Sequence, residues 1–422
     1  MAKTIAHVLS RLRSKKRIKT VLYFSECAAL FFYIFSLPSF SGRYPLNYVS
    51  YAFMALLILV TFINLLLYFK PFIRLYLLII PLFVFWAFLG TTLFSHDFRG
   101  WFSIVLLSIT MFVFYYAFYI IKNYKLIMLI IILSLFSFCF YFLIIYWKDI
   151  LDFRSFTGES FRLGGYFDNV NQIASYMSLG ISLSLFFILF EKRKIYLILL
   201  IPVLVFGGIG LTTGSKKFII ISVITLLVVF FIKFRHHKLL FTISLISIVA
   251  SVVILLSLPF MSPITKRLLD SFATLLGDGD STSTIQRYLW QQYACQLGFK
   301  QAIFGYGYNG FSLVSGVGTY SHANYSEIIC NFGIIGFLFF YWPHCLILFK
   351  SLKKANYISK FNFVFLSMFI VYSFTKVYFF DKDYYLILAF IFFVLDSTTD
   401  SPQFRVKKNK KFRVNQRIEV DI

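Results

Sequence analysis

KKFIIISVITLLVVFFIKFRHHKLLFTISLISIVASVVILLS, residues 216–257, places two apolar runs, 217–232 and 239–258, on either side of the basic loop KFRHHK (233–238). Each run approaches the roughly 17–25 residues that a helix needs to cross a hydrocarbon layer about 30 Å thick. A helix satisfies its own backbone donors and acceptors, so such a run enters lipid as a helix. The same unit recurs in both directions. Runs at 21–37, 47–69, 75–94, 101–121, 126–146, 170–190 and 195–212 precede it, and 324–349, 361–379 and 384–396 follow.

Composition agrees with that reading. The chain is 59% hydrophobic, 21% aromatic and only 14% charged, with a mean hydropathy of +0.80. So little polar surface cannot cover a water-soluble globule of 422 residues. The expected fold class is all-α: a polytopic integral membrane protein with about 12 transmembrane helices and one large outer loop. No period of 20 to 50 residues recurs, which argues against a solenoid.

A net charge of +24 would suggest nucleic acid in a soluble protein, but here the cations sit in short loops and at the ends. RLRSKKRIK (11–19), KPFIR (70–74), KNYK (122–125), EKRK (191–194), KFRHHK (233–238), KSLKK (350–354) and VKKNKKFR (406–413) all fall on one side when the spans alternate. That is the positive-inside pattern, so both termini are expected in the cytoplasm, the lipid bilayer is the partner and no nucleic acid is. The first apolar run is followed by SLPSFSGR, with no small-residue cleavage site, and is read as a retained helix. Cys27, Cys139, Cys295, Cys330 and Cys345 show no metal-binding spacing and read as small packing residues.

Cations on the opposite side run against the orientation rule and need a reason. They are Arg162 in FRLGGYFDNVNQIASY (161–176), Lys216 and Lys217 in LTTGSKK (211–217), Arg287 in the loop 259–323, and Lys376. Converging cations at an outer interface suit a phosphate or pyrophosphate. Asp168, Asn169 or Asn171 can cap the helix that follows Gly164 and Gly165, and the amides left over can bond a sugar.

Within the loop, 284–298 reads as an amphipathic helix, with Ile285, Leu289 and Tyr293 or Trp290 and Leu297 on apolar faces and Arg287 elsewhere. GYGYNG (305–310) has the string of a dinucleotide fingerprint but no βαβ unit around it, so its glycines are read as a tight turn that approaches another segment or a ligand. His322 precedes NYSE, where Asn324 reads as a cap with Glu327 three residues on. A histidine just outside a helix N-terminus stays neutral and can serve as a base.

FRLGGYFDNVNQIASY, LTTGSKKFII, IQRYLWQQYACQLGFKQAIFGYGYNGF and SHANYSEIICNFGIIGF, in that order and with one large outer loop before the histidine, resemble the O-antigen ligase and polymerase superfamily. The resemblance covers about 160–340; the first five spans match only in hydropathy. It implies a C-type glycosyltransferase architecture in a bacterial cytoplasmic (inner) membrane, with the site on the periplasmic side. The organisation becomes a cytoplasmic basic N-terminus (1–20), transmembrane helices 1–9 (21–258), an extracytoplasmic catalytic loop (259–323), transmembrane helices 10–12 (324–396) and a cytoplasmic basic tail (397–422).

The resemblance also implies roles. Arg287 matches the loop arginine that holds the donor pyrophosphate, and His322 the histidine that activates the acceptor hydroxyl. Where the family often has Ser-Arg this chain has Ser215 and Lys216, and lysine cannot make arginine's bidentate contact, so Lys217 is a second candidate for that role. Arg162, Asn169, Asn171 and Glu327 complete the expected substrate-binding set.

The implied donor is an undecaprenyl-pyrophosphate-linked oligosaccharide and the acceptor a glycan or lipid, with a chain-length regulator as a further partner. Ligases tend to show a His-Ser-His-Asn string, whereas Tyr320 to Asn324 reads Tyr-Ser-His-Ala-Asn, which favours a polymerase. The pyrophosphate is already a good leaving group, so cations and one base suffice; neither GDGD (277–280) nor DKD (381–383) looks like a divalent site, and no metal, cofactor or nucleotide sugar is expected. The competing class is a lipid-linked oligosaccharide flippase, which would show broken helices and charges at the bilayer midplane.

Overall fold

The computed structural model describes residues 2–40, 45–68, 74–151, 162–167, 169–191, 193–276, 282–352 and 357–398. Arg43, Asp168, Lys192, the acidic string 277–280 and the basic tail from 399 onward lie outside the described residues.

Every regular element described is helical. α1 (Ala2–Phe40), α2 (Asn47–Tyr68), α3 (Ile79–Gly90), α4 (Phe98–Ile121), α5 (Tyr124–Leu151), α6 (Val170–Phe190), α7 (Leu200–Thr212), α8 (Lys216–Phe234) and α9 (Lys238–Ser257) correspond to the first nine expected spans. Among the described residues ten helical stretches are long and apolar enough to cross a membrane: these nine, with α3 extended by its flanking turns to Leu75–Ser95 and α7 to Lys194–Thr212, and α13 (Asn324–Leu352).

The last two expected spans are helices as well, and shorter apolar ones. α14 (Tyr357–Thr375) has an apolar core of only Lys360–Phe374, and α15 (Lys382–Thr398) has 17 residues. At 1.5 Å per residue, 17 residues reach about 26 Å, the lower end of what a span needs. α15 has no need to meet lipid along its length, because its residues from Tyr384 to Leu395 are all buried and it packs against α4. α6 is the other central helix, 83% buried over its span, whereas α9 is 6% buried and packs chiefly on α8.

Two carboxylates inside the bundle are paired within it, which offsets the cost of burying them where water is absent. Glu26 of α1 accepts from Thr61 at 2.5 Å and Asn64 at 2.8 Å of α2. Tyr115 of α4 donates to Asp396 at the end of α15 at 2.5 Å.

The segment 259–323, expected as one large outer loop holding a helix at 284–298, is mostly helical. α10 (Ser262–Leu276) was not expected at all; α11 (Thr282–Lys300) contains the expected helix, and α12 (Gly310–Ser315) is one further turn. α11 buries Ala294 and Leu297 with Trp290 beside them, while Ile285, Leu289 and Tyr293 are exposed, so of the two apolar faces only the second packs inward.

α13 is broken at Gly333, whose φ of 66° and ψ of −171° are not helical. The freed groups are taken by the chain after α11: Tyr306 N–H donates to the Cys330 carbonyl at 2.9 Å, Gly307 N–H to Asn331 at 2.7 Å, and Ile334 N–H to Ala302 at 2.7 Å. Trp86 Nε1 caps the Phe332 carbonyl at 3.0 Å. The glycine-rich turn is thus a backbone-to-backbone lock. A Cβ on Gly305, at φ 67°, would lie 2.5 Å from the Asn331 carbonyl carbon, so only glycine fits.

Candidate active site at one end of the bundle

The N-termini of α6, α8 and α13, the segment carrying α10 and α11, and the α14–α15 turn meet at one end. Asn169 caps α6, its Oδ1 accepting from Asn171 N–H at 3.0 Å, as one of the three expected alternatives. Asn171 Oδ1 then accepts from Ser215 Oγ at 2.9 Å and Arg162 Nη2 at 3.2 Å, and Arg162 Nε donates to the Thr213 carbonyl at 3.4 Å. These bonds latch the Gly164–Gly165 turn onto the α7–α8 turn.

The two lysines that open α8 diverge. Lys216 Nζ donates to the Arg267 carbonyl at 3.3 Å and to Ser271 Oγ, both on α10. Lys217, one residue on and so about 100° round the helix, makes no hydrogen bond or ion pair among the described residues and lines two adjoining cavities.

The first cavity, of about 480 Å³, is lined by Lys216, Lys217, Arg287, Gln291, His322 and Tyr325, with apolar walls from Ile220, Leu268, Phe272 and Phe374. Arg287 comes from α11 and, like Lys217, has no polar partner among the described residues. Its helix is tied to α13 by Tyr325 Oη donating to Gln291 Oε1 at 3.3 Å.

His322 lies just before α13 in the left-handed region, at φ 68°. That conformation costs a residue with a Cβ roughly 1–2 kcal/mol, so the loop must hold it there. Ser321 N–H donates to Glu327 Oε2 at 2.6 Å and Ser321 Oγ donates to the Ala323 carbonyl at 3.2 Å. The imidazole stacks on Trp290 with ring centroids 5.5 Å apart and meets Tyr320 at 4.5 Å. Burial, then Arg287 and Lys217, push its pKa down to about 4. The neutrality expected of this histidine therefore has a different cause from the helix dipole.

The expected capping box is corrected too. Asn324 is the first residue of α13, and its Oδ1 accepts from the backbone N–H groups of Tyr378 at 2.9 Å and Phe379 at 3.0 Å. It fastens α13 to the α14–α15 turn. Glu327 is buried, accepts from Ser321 and from Asn331 Nδ2 at 3.1 Å beneath the histidine loop, and lines neither this cavity nor the one described next.

The second cavity, of about 280 Å³, lies across Lys217 and is lined by Asn169, Asn171, Tyr176, Tyr320, Phe380 and the turn 376–382. Lys376, read from sequence as an outward cation, is neutralised there by Asp381 at 2.6 Å and Asp383 at 3.6 Å and donates to Gln172 Oε1 at 2.6 Å.

The expected residues thus fall into three groups. Arg287, His322, Lys216 and Lys217 share the first cavity; Asn169 and Asn171 share the second with Lys217; Arg162 braces the rim through Asn171. Its guanidinium pKa is lowered by burial and by Arg267 and Arg287 nearby. Arg267 was missed. Its Nη2 is buried without a hydrogen-bond partner among the described residues, and the signal was the run SPITKRLLDSFATLL, whose Ile264 and Leu268 recur at helical spacing and are buried. Among the described residues no three His, Cys, Asp or Glu side chains gather as a metal site would require.

Residues 201–341 match the family model described as O-antigen ligase, which bears out over that stretch the resemblance read from the sequence. The match holds Lys216, Lys217, Arg287, Tyr320 and His322, and it ends before the α14–α15 turn. Members of that family are membrane enzymes of the glycosyltransferase type. No curated protein matches the chain.

Proposed function

We propose that the protein is a polysaccharide polymerase of a bacterial cytoplasmic membrane, O-antigen or capsule, which transfers a glycan from an undecaprenyl-pyrophosphate carrier to a hydroxyl of another lipid-linked repeat. The observation that carries this is the first cavity: two cations without partners among the described residues, Lys217 and Arg287, converge with the imidazole His322 on a space with apolar walls. Such a set fits a headgroup that is anionic and attached to a lipid.

In the reaction the acceptor oxygen attacks the anomeric carbon of the donor. The new glycosidic C–O bond forms as the C–O bond to the pyrophosphate breaks, the acceptor proton passes to His322, and the lipid pyrophosphate leaves with its charge held by Arg287 and Lys217. Holding charge that develops on the leaving group is worth about 10²- to 10³-fold per donor in comparable sites. Between the two lysines, Lys217 is the better counterpart of the family's arginine, because Lys216 is spent on α10.

An imidazole at pKa 4 is a weak base. Two of the three causes of that depression are the cations themselves, so the arriving pyrophosphate neutralises them and raises the basicity of His322 when the donor is in place. The orientation follows from charge: the opposite end of the bundle carries the basic loops, so it faces the cytoplasm with both termini, and the site faces outward.

A ligase is the second reading, supported by the description of the matching family and by donor chemistry common to both. A flippase is less well supported, because the break in α13 is filled by the backbone of 302–307 and not left open to a ligand. The test is to give purified protein in vesicles only undecaprenyl-pyrophosphate-linked repeats, with chelator and no nucleotide. A ladder of longer lipid-linked chains supports the polymerase; product only after a lipid A core is added, and only on that core, supports the ligase; movement of intact repeats across the vesicle without new bonds supports the flippase.

A further inference from the structure

We infer that the 280 Å³ cavity on the far side of Lys217 is the acceptor-glycan subsite, with the Tyr320 ring as its platform. The inference rests on the glycosyl-transfer reading above and assigns the second cavity within it.

The lining selects the class of ligand. Lys376 and Gln172 are already engaged, with each other and with Asp381 and Asp383. Left without a partner among the described residues are the Lys217 ammonium, Asn171 Nδ2 and Tyr320 Oη. Beside them lies the ring of Tyr320, 39% exposed, with Phe380 edge-on at 6.3 Å. A lipid chain would have no use for an amide and an ammonium, and a free phosphate no use for an aromatic ring. A sugar uses both, its hydroxyls on the polar groups and its C–H face on the ring.

Position selects the role. Tyr320 touches the His322 imidazole at a centroid distance of 4.5 Å, and Lys217 is common to both cavities. A sugar lying on Tyr320 therefore sits next to the base and across Lys217 from the space assigned to the pyrophosphate. The walls are set in advance: Gln172 of α6 bonds Asp383 at 3.1 Å and Lys376 at 2.6 Å, fastening the start of α6 to the α14–α15 turn before any ligand arrives.

The extent of the family match agrees. Lys217, Arg287, Tyr320 and His322 lie within 201–341, whereas Asn171, Tyr176, Phe380 and the turn 376–382 lie outside it. A shared donor apparatus with chain-specific acceptor walls is the arrangement expected of enzymes that use one kind of carrier and different acceptors.

The experiment uses full-length protein in vesicles, an undecaprenyl-pyrophosphate-linked repeat as donor, and as acceptor the lipid-free repeat oligosaccharide cut from the source cell's own surface polysaccharide. Tyr320→Ala should raise the acceptor KM roughly tenfold, the equivalent of about 1.4 kcal/mol, while the donor KM stays within about twofold of wild type. Tyr320→Phe and Tyr320→Trp should restore most of the acceptor KM, which also shows that the loop still folds. An unchanged acceptor KM in Tyr320→Ala, or an equal rise in both KM values, overturns the acceptor assignment and leaves the glycosyl-transfer reading intact. If wild-type protein neither transfers the repeat nor releases lipid pyrophosphate, that reading itself fails.

Discussion

The two ends of this bundle treat positive charge in opposite ways. At the end where α6 and α15 finish, Lys125 bonds Glu191 at 2.6 Å, Arg74 lies 3.7 Å from Asp396, Lys233 donates to the Leu189 carbonyl, and Lys350 sits 4.3 Å over the Tyr76 ring. At the other end Lys376 is paired, but Lys217 and Arg287 face a cavity with none of the described residues as partner. Like charges gathered at a half-buried site repel and resist desolvation. Two such cations gathered without counter-ions among the described residues are suited to an anion from outside.

The comparison can be broken by substitution. Arg287→Ala should cost the most, about 10³-fold in transfer, with membrane protein level unchanged because no structural partner is lost; near-normal activity would return Arg287 to a lipid-headgroup role. His322→Ala should come next, about 10²-fold and in turnover more than in donor binding, since a base acts on the proton in flight. Weakened donor binding at normal turnover would instead make His322 a phosphate ligand.

Lys217→Ala should cost roughly tenfold in kcat/KM for the donor, and Lys216→Ala less than that, since Lys216 is spent on α10; the reverse order would exchange their roles. Lys125→Ala, which removes a cation at the other end, should change transfer by less than about twofold. pH sharpens the contrast further. The active form of His322 is the neutral one and its pKa in the free protein is depressed to about 4, so kcat/KM should stay level from neutral pH downward and fall only on approach to pH 4. An acid limb near the ordinary histidine value would contradict the shielding of this ring by burial and its two cations.

How far the sequence reaches can be judged residue by residue. Apolar run length found a helix for each of the twelve expected spans, because hydropathy over some twenty residues is a local quantity. It did not set α14 and α15 apart from the rest, since a short apolar helix inside a bundle reads the same as one in lipid. α10 escaped because its apolar residues are spaced among Lys266, Arg267 and Asp270, so mean hydropathy over the window is low.

Arg287 and His322 were legible as a cation and a titratable group in the one long polar interruption, and the structure brings both to a single cavity. The roles of Asn324 and Glu327 were not. Asn324 is satisfied by the backbone at 378 and 379, and Glu327 by Ser321, which no local capping pattern distinguishes from a cap. The break at Gly333 was equally hidden, because it exists only where the chain at 302–307 supplies replacement hydrogen bonds. Lys376 is a different case: its partners Asp381 and Asp383 stand a few residues on, and a turn between them could have been read as an ion pair.

The central claim is that the partner missing at the open end is a pyrophosphate. Calorimetric titration of undecaprenyl pyrophosphate into vesicle-embedded protein tests it directly, using two variants that each remove two positive charges: Lys217→Met with Arg287→Ala at the open end, and Lys125→Ala with Lys350→Ala at the other. The account predicts that the first variant loses at least about 2 kcal/mol of binding, roughly thirtyfold in affinity, and that the second binds as wild type does. Equal losses in both, or none in either, would show that the cations at the open end answer only to the general charge of the membrane surface.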